Sequence, residues 1–237
     1  MTKRVVFLLC LVFFPVAALA SGVPEDFEKP ENYPDPLRLK SEIDVYEWID
    51  YVLAPTEGSV LAVGSSSIFG WHNRIHEDLK PLTIIPRGFG SSTMYDLLYY
   101  SDKIVLPYKP RAILVYEGDN DIAWGSSPED VLKTFDALVY KIHQALPDTR
   151  IYLISIKPSI SRAHLLPQMQ IANQLLQEAC EANELMHYID ITTPMLEDGE
   201  VIPKYINTDD LHMNATGYDL WRDIVQREMV IKETGKN

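Results

Sequence analysis

The chain has 237 residues, with 34 acidic side chains against 21 basic ones and a formal charge of −13. Its 46% hydrophobic and 10% aromatic content suits a packed globular core and excludes a disordered chain. The acidic balance argues against nucleic acid as a partner, because phosphate binding needs a basic face.

Residues 1–20 read as a secretory signal. Lys3 and Arg4 form the basic region, Val5 to Ala17 the apolar core, and Ala18-Leu19-Ala20 an A-x-A cleavage site before Ser21. The apolar run is shorter than the roughly 20 residues a membrane span needs, and Pro15 interrupts it. The expectation is an exported protein, periplasmic or extracellular, with no integral membrane span after processing. Cys10 lies in the signal, so the mature chain keeps only Cys180. That rules out an internal disulfide and a cysteine metal cluster.

Residues 21–40 carry Pro24, Pro30, Pro34 and Pro36 without periodicity and read as an extended N-terminal segment. Residues 41–237 read as one domain. A helix is expected from Ser41, its plausible cap, with Ile43, Tyr46, Ile49 and Leu53 at helical spacing. Val60–Val63 is an apolar run that reads as a buried strand and stops at Gly64-Ser65-Ser66-Ser67. A helical piece is expected near Trp71, a second strand over Leu82–Ile85, and a helix from Thr93 to about Val105. Ala112–Tyr116 reads as a third strand, ended by Glu117-Gly118-Asp119-Asn120-Asp121. Ser127, Pro128, Glu129 and Asp130 mark a helix start, and that helix runs to about Leu146. Ile151–Ile156 and His187–Ile191 read as further strands, with a helix over Gln168–Ala182 between them and a last one from Ala215 to about Lys232. Strands alternating with helices imply a mainly parallel sheet covered on both faces, a three-layer α/β/α domain.

The residues suited to chemistry all follow strands, where such folds place their sites. Ser66, at the carboxyl end of the first strand, is a candidate nucleophile; a serine there also caps helices. His212, three residues after Asp209 in Asp209-Asp210-Leu211-His212, is a candidate base. An aspartate at that distance can meet the ring, fix its tautomer and stabilise the imidazolium. The turn Gly88-Phe89-Gly90-Ser91 offers backbone N–H groups for an oxyanion, and Asn120 offers a neutral amide. His143 and His187 read as structural. Trp71, His72, Phe89 and Trp124 lie beside these motifs as candidate pocket lining. There is no G-x-S-x-G elbow, and Gly88-x-Gly90 lacks the third glycine of a dinucleotide fingerprint. No metal or organic cofactor is expected.

Four blocks now stand in order: Gly64-Ser65-Ser66, the turn at Gly90-Ser91, Gly118-Asp119-Asn120-Asp121, and Asp209-Asp210-Leu211-His212. In this the chain resembles the SGNH-hydrolase superfamily, also called the GDSL esterase/lipase family, over about Val60 to Trp221. The resemblance implies a flavodoxin-like sheet of about five parallel strands. It implies Ser66 as nucleophile, His212 as general base then acid, and Asp209 as the orienting acid. The Ser66 N–H and the Asn120 side chain become two oxyanion donors, and Gly90 or Ser91 supplies a third. Two positions depart from the family: its aspartate before the nucleophile is Ser65, and the glycine of its second block aligns with Ser91. The implied activity is two-step hydrolysis of an ester through an acyl-serine intermediate. Export, the acidic balance and the lack of a lid-like insertion or long hydrophobic stripe favour short-chain or acetyl esters, on a small molecule or a carbohydrate. A lysophospholipase or platelet-activating-factor-acetylhydrolase-like enzyme, and a non-catalytic glycan-binding protein of the same fold, are the alternatives.

Overall fold

The computed structural model describes residues 22–235; the expected signal segment therefore lies outside the described residues, apart from what its sequence says. The first helix, α1 (Lys40–Val52), is led in by a 3₁₀ turn over Pro36–Leu39. Ser41 is not its cap. The turn's own cap is Asp35, whose side chain accepts from the Leu37 N–H at 2.9 Å, and the chain then passes directly into α1.

The strands and helices follow in alternation: β1 (Val60–Gly64), α2 (Ser66–Trp71), α3 (Ile75–Asp78), β2 (Ile84–Gly88) and α4 (Met94–Ile104). Next come β3 (Ala112–Tyr116), α5 (Asp119–Ala123), α6 (Pro128–Ala145), β4 (Arg150–Ile154), α7 (Leu166–Glu181) and β5 (Met186–Ile189). A two-strand hairpin, β6 (Leu196–Glu197) with β7 (Glu200–Val201), precedes α8 (Ala215–Val225). A π-helical stretch, Gln226–Val230, joins α8 to α9 (Ile231–Thr234). The five long strands pair in the order β2-β1-β3-β4-β5, all parallel.

Alternation along the strands divides the core in two. Leu61, Val63, Ile113, Val115 and Leu153 face a cluster with α1, α4, α6 and α7. Val60, Ala62, Leu114 and Ile154 face the other, with Trp71, Trp221 and the C-terminal helix. This is the expected three-layer, flavodoxin-like arrangement.

Two boundaries moved for physical reasons. β2 extends through Pro86, which lacks an N–H; it is tolerated because β2 is an edge strand bonded only to β1. The helix expected near Trp71 starts instead at Ser66, so strand passes to helix across Ser65 alone. The short helix α5 replaces what its run of acids suggests is a loop, and Asp119, Asn120, Asp121 and Ile122 in it are all buried.

Asp121 is fully buried; one carboxyl oxygen accepts from the Met94 N–H at 2.9 Å and the other has no partner among the described residues. Burial pushes its carboxyl up to about 7. The folded chain then holds a proton that the unfolded chain, with an aspartate near ~3.9, has lost. Stability therefore drains as pH rises from about 4 to about 7. Asp121→Asn keeps an oxygen for Met94 and has nothing to ionise. Urea unfolding is expected to show the variant gaining about 2 kcal/mol on the wild type between pH 5 and pH 7.5. A pH-independent difference would contradict the buried, protonated carboxyl.

Candidate active site

Gly64 ends β1 with φ +146°, pressed against the backbone of Tyr116 on β3. The Ser65 N–H then donates to the Tyr116 carbonyl at 3.1 Å, and Ser65 itself is fully buried. Ser66 follows as the first residue of α2. Its N–H has no acceptor within the helix at that position, and its hydroxyl faces the crevice at the carboxyl edge of the sheet.

There it meets His212. Ser66 Oγ lies 3.0 Å from His212 Nε2, and His212 Nδ1 lies 2.7 Å from Asp209 Oδ2. A carboxylate only accepts, so Nδ1 carries the ring proton and Nε2 is left to accept from the serine. The other Asp209 oxygen, Oδ1, accepts from the backbone N–H groups of Leu211 and His212 at 3.0 and 2.9 Å. These contacts, the His212 ring first, hold the Asp209 carboxyl well below the usual carboxylate range. Asp210 takes the left-handed turn, φ +59°, that folds the ring back over its neighbour; it is not the histidine's partner. Asn214 caps α8 through its side chain, accepting from the Gly217 N–H at 3.1 Å and donating to Lys204 and Ile206 carbonyls.

The turn after β2 is placed beside this trio by contacts from both sides. The Gly90 N–H donates to Glu42 Oε2 on α1 at 2.9 Å and is thereby committed. Ser91 has φ +59°, the left-handed region that favours glycine. Its N–H has no partner among the described residues, while its carbonyl accepts from Arg38 at 3.1 Å. Arg38 also forks onto Asp96 at 2.7 and 2.6 Å, and Asp96 closes a capping box with Thr93 at the start of α4. Asn120 adjoins the same turn: its Nδ2 donates to the Ser92 carbonyl at 2.8 Å and its Oδ1 accepts from Arg162 at 2.9 Å. The second amide hydrogen is unspent.

Of the four aromatic or imidazole side chains expected to line a pocket, two are enclosed in the cores. Trp71, the last residue of α2, and Phe89, just past the end of β2, are fully buried there. His72 Nε2 accepts from the Gly88 N–H at 3.0 Å; burial, with Arg87 and His76 nearby, pushes its pKa down to about 4, so it is a neutral brace. Trp124 is exposed, one turn beyond Asn120, whose carbonyl accepts its N–H at 2.8 Å. Phe69, also exposed, lies one turn after Ser66 on α2 and was not flagged by any motif. His143 bonds the Thr149 carbonyl at 3.0 Å, a structural contact. Glu42, Arg38, Lys157 and Arg162 escape the sequence reading as well; Lys157 and Arg162 alone carry a signal, their place in the loop after β4. Among the described residues no cluster of histidine, cysteine and acids could hold a metal ion.

Solved structures share this architecture. A protein from Streptococcus pneumonia assigned as a platelet activating factor superposes with a TM-score of 0.71 at 20% identity, over 80% of this chain and 91% of that one. A GDSL-like lipase from Bacteroides thetaiotaomicron gives 0.71 at 19%, over 81% and 98%. A family 3 carbohydrate esterase from Clostridium thermocellum gives 0.62 at 13%, over 74% and 96%. At these identities the likeness is one of fold. No curated protein matches the chain in sequence. The family description GDSL-like Lipase/Acylhydrolase, however, matches residues 56–220, well over half the chain and the whole run from β1 through the His212 loop. The chain belongs to that family.

Proposed function

We propose that the protein is an exported serine esterase that hydrolyses short-chain or acetyl carboxylic esters through an acyl-Ser66 intermediate. The observation that carries this reading is the unbroken line from Ser66 Oγ to His212 Nε2 at 3.0 Å and from His212 Nδ1 to Asp209 at 2.7 Å. Ser66 Oγ attacks the ester carbonyl while His212 Nε2 takes its proton, and Asp209 holds the imidazolium that forms. The carbonyl oxygen becomes an oxyanion, received by the N–H of Ser66, the N–H of Ser91 and the free amide hydrogen of Asn120. Ser91 rather than Gly90 takes this role because the Gly90 N–H is spent on Glu42. Collapse of the intermediate expels the alcohol, which leaves with the proton from His212. Water then enters by the same route, and the acid departs from Ser66.

The short-chain preference follows from exposure. The side chains of His212 and Asp209 are 39% and 47% exposed, so the reacting groups lie on an open, wet surface. Such a surface offers a long acyl chain little burial, and burial is worth about 0.8 kcal/mol per methylene where it occurs. Export rests on the signal-like residues 1–20, and residues 41–237, with the turn Pro36–Leu39 that leads into them, act as one catalytic domain.

Hydrolysis of p-nitrophenyl acetate, butyrate and octanoate by the mature protein tests the reading. The expected kcat/KM is greatest for acetate and falls about tenfold or more by octanoate. A rise with chain length would favour a lysophospholipase-type enzyme. Absence of turnover on all three, with binding to glycans, would replace the enzyme by a binding protein.

A further inference from the structure

The loop between β4 and α7 carries two cations that the reaction as written does not use. Arg162 donates through one terminal nitrogen to Asn120 Oδ1 at 2.9 Å and through the other to Asp119 Oδ2 at 3.0 Å. Its side chain is 18% exposed, so both contacts are largely shielded from water. Lys157, buried, lies 3.8 Å from the same Asp119 oxygen and donates to the Leu211 carbonyl at 2.8 Å, one residue before His212. The Ser161 N–H donates to the Asp210 carbonyl at 2.9 Å. One loop thus grips both the amide of Asn120 and the turn that presents His212.

We propose that Arg162 is a positioning residue that orients and polarises the Asn120 amide as an oxyanion donor. This rests on the reading of Asn120 given above. A guanidinium has only donors, so the amide atom facing it must be the oxygen. With the Ser92 carbonyl, which accepts from Nδ2 at 2.8 Å, that holds Nδ2 on its branch of the side chain and disfavours the flipped rotamer, in which the oxygen would face the developing oxyanion and repel it. The contact is charge-assisted, and drawing electron density towards Oδ1 makes the Nδ2 hydrogens better donors. Asp119 neutralises the cation, so the guanidinium supports the amide without standing as an isolated buried charge.

A kinetic double-mutant cycle tests this, using p-nitrophenyl acetate and the full mature chain. Asn120→Ala is expected to lower kcat by about 10²–10³-fold, the usual loss for one oxyanion donor. Arg162→Met is expected to lower it by about 10–100-fold with KM within about twofold, because the lost interaction operates in the transition state. The double variant is expected to lie within about threefold of Asn120→Ala alone, since Arg162 acts through that amide. Arg162→Lys, which keeps a cation beside Asp119 and one donor for Oδ1, is expected to recover part of the loss; it carries the same cycle if Arg162→Met fails to fold. Losses that multiply in the double variant would overturn the proposal, as would an Arg162→Met enzyme with wild-type kcat. An Asn120→Ala enzyme with unchanged kcat would instead remove the oxyanion reading on which the proposal stands.

Discussion

Ser66→Ala is expected to lower the hydrolysis of p-nitrophenyl acetate by about four to six orders of magnitude, the range seen when a triad nucleophile is removed. The remaining rate would come from the oxyanion donors and substrate binding alone. Folding should hardly notice. The only hydrogen bond the Ser66 hydroxyl makes among the described residues is to His212, in a partly exposed position, and such a bond contributes about 0.5–1.5 kcal/mol net. In a chain of this size that corresponds to a few degrees in melting temperature. Parallel measurement of turnover and of a circular-dichroism melt separates the two effects. Activity within tenfold of wild type, with the melt unchanged, would exclude Ser66 as nucleophile. A collapsed melt would show that the residue was holding structure.

The second large effect concerns the residue that brings Ser66 to the surface. A Cβ built on Gly64 would stand 2.0 Å from the Tyr116 carbonyl oxygen and 2.8 Å from its carbon, both backbone atoms of the neighbouring strand. The φ of +146° adds strain for any L side chain. Neither obstacle is a flexible side-chain tip, so β1 and β3 would have to separate at the point where Ser65 bonds Tyr116. Gly64→Ala is therefore expected to cost more than about 4 kcal/mol, in the exceptional tail of single substitutions. The surviving folded fraction should have a displaced nucleophile. Gly90→Ala is the natural control: its Cβ would meet only Glu42 Oε2, at 3.9 Å. Urea midpoints for the two variants should differ widely. Equal midpoints would mean that the strand junction yields more easily than its geometry implies.

Much of this was readable in the sequence because the signals were local. β3 runs over Ala112–Tyr116 as expected, a continuous apolar run between turn residues. α6 starts where Ser127 and Pro128 say it should, with Ser127 and Asp130 forming a reciprocal cap. The neighbourhood of Asp209 and His212 was legible for the same reason, since three residues of spacing are enough to join them. What escaped the sequence depended on distance along the chain. Glu42 and Gly90 are 48 residues apart, and Arg162 and Asn120 are 42 apart; no periodicity or motif couples such pairs. The edge position that admits Pro86 into β2 is likewise a property of the assembled sheet. Burial of polar residues was hidden too. Asp119, Asn120 and Asp121 read as turn formers by residue type, and only the packing of α5 against α6 and α7 turns them into interior groups.

The contacts of α1 and its leading turn carry a practical consequence. The region shared with the family begins at residue 56, yet Arg38 and Glu42 hold the Ser91 carbonyl and the Gly90 N–H. Tyr46 bonds the Gly88 carbonyl, and Asp50 bonds Arg87 and Tyr108. A fragment trimmed to the shared region would retain every motif residue while losing the scaffold that sets one wall of the crevice. It would also uncover the apolar surface beneath Ile43 and Tyr46. The smallest piece that carries the chemistry is thus longer than the piece that carries its signature, and recombinant boundaries are best drawn ahead of Asp35.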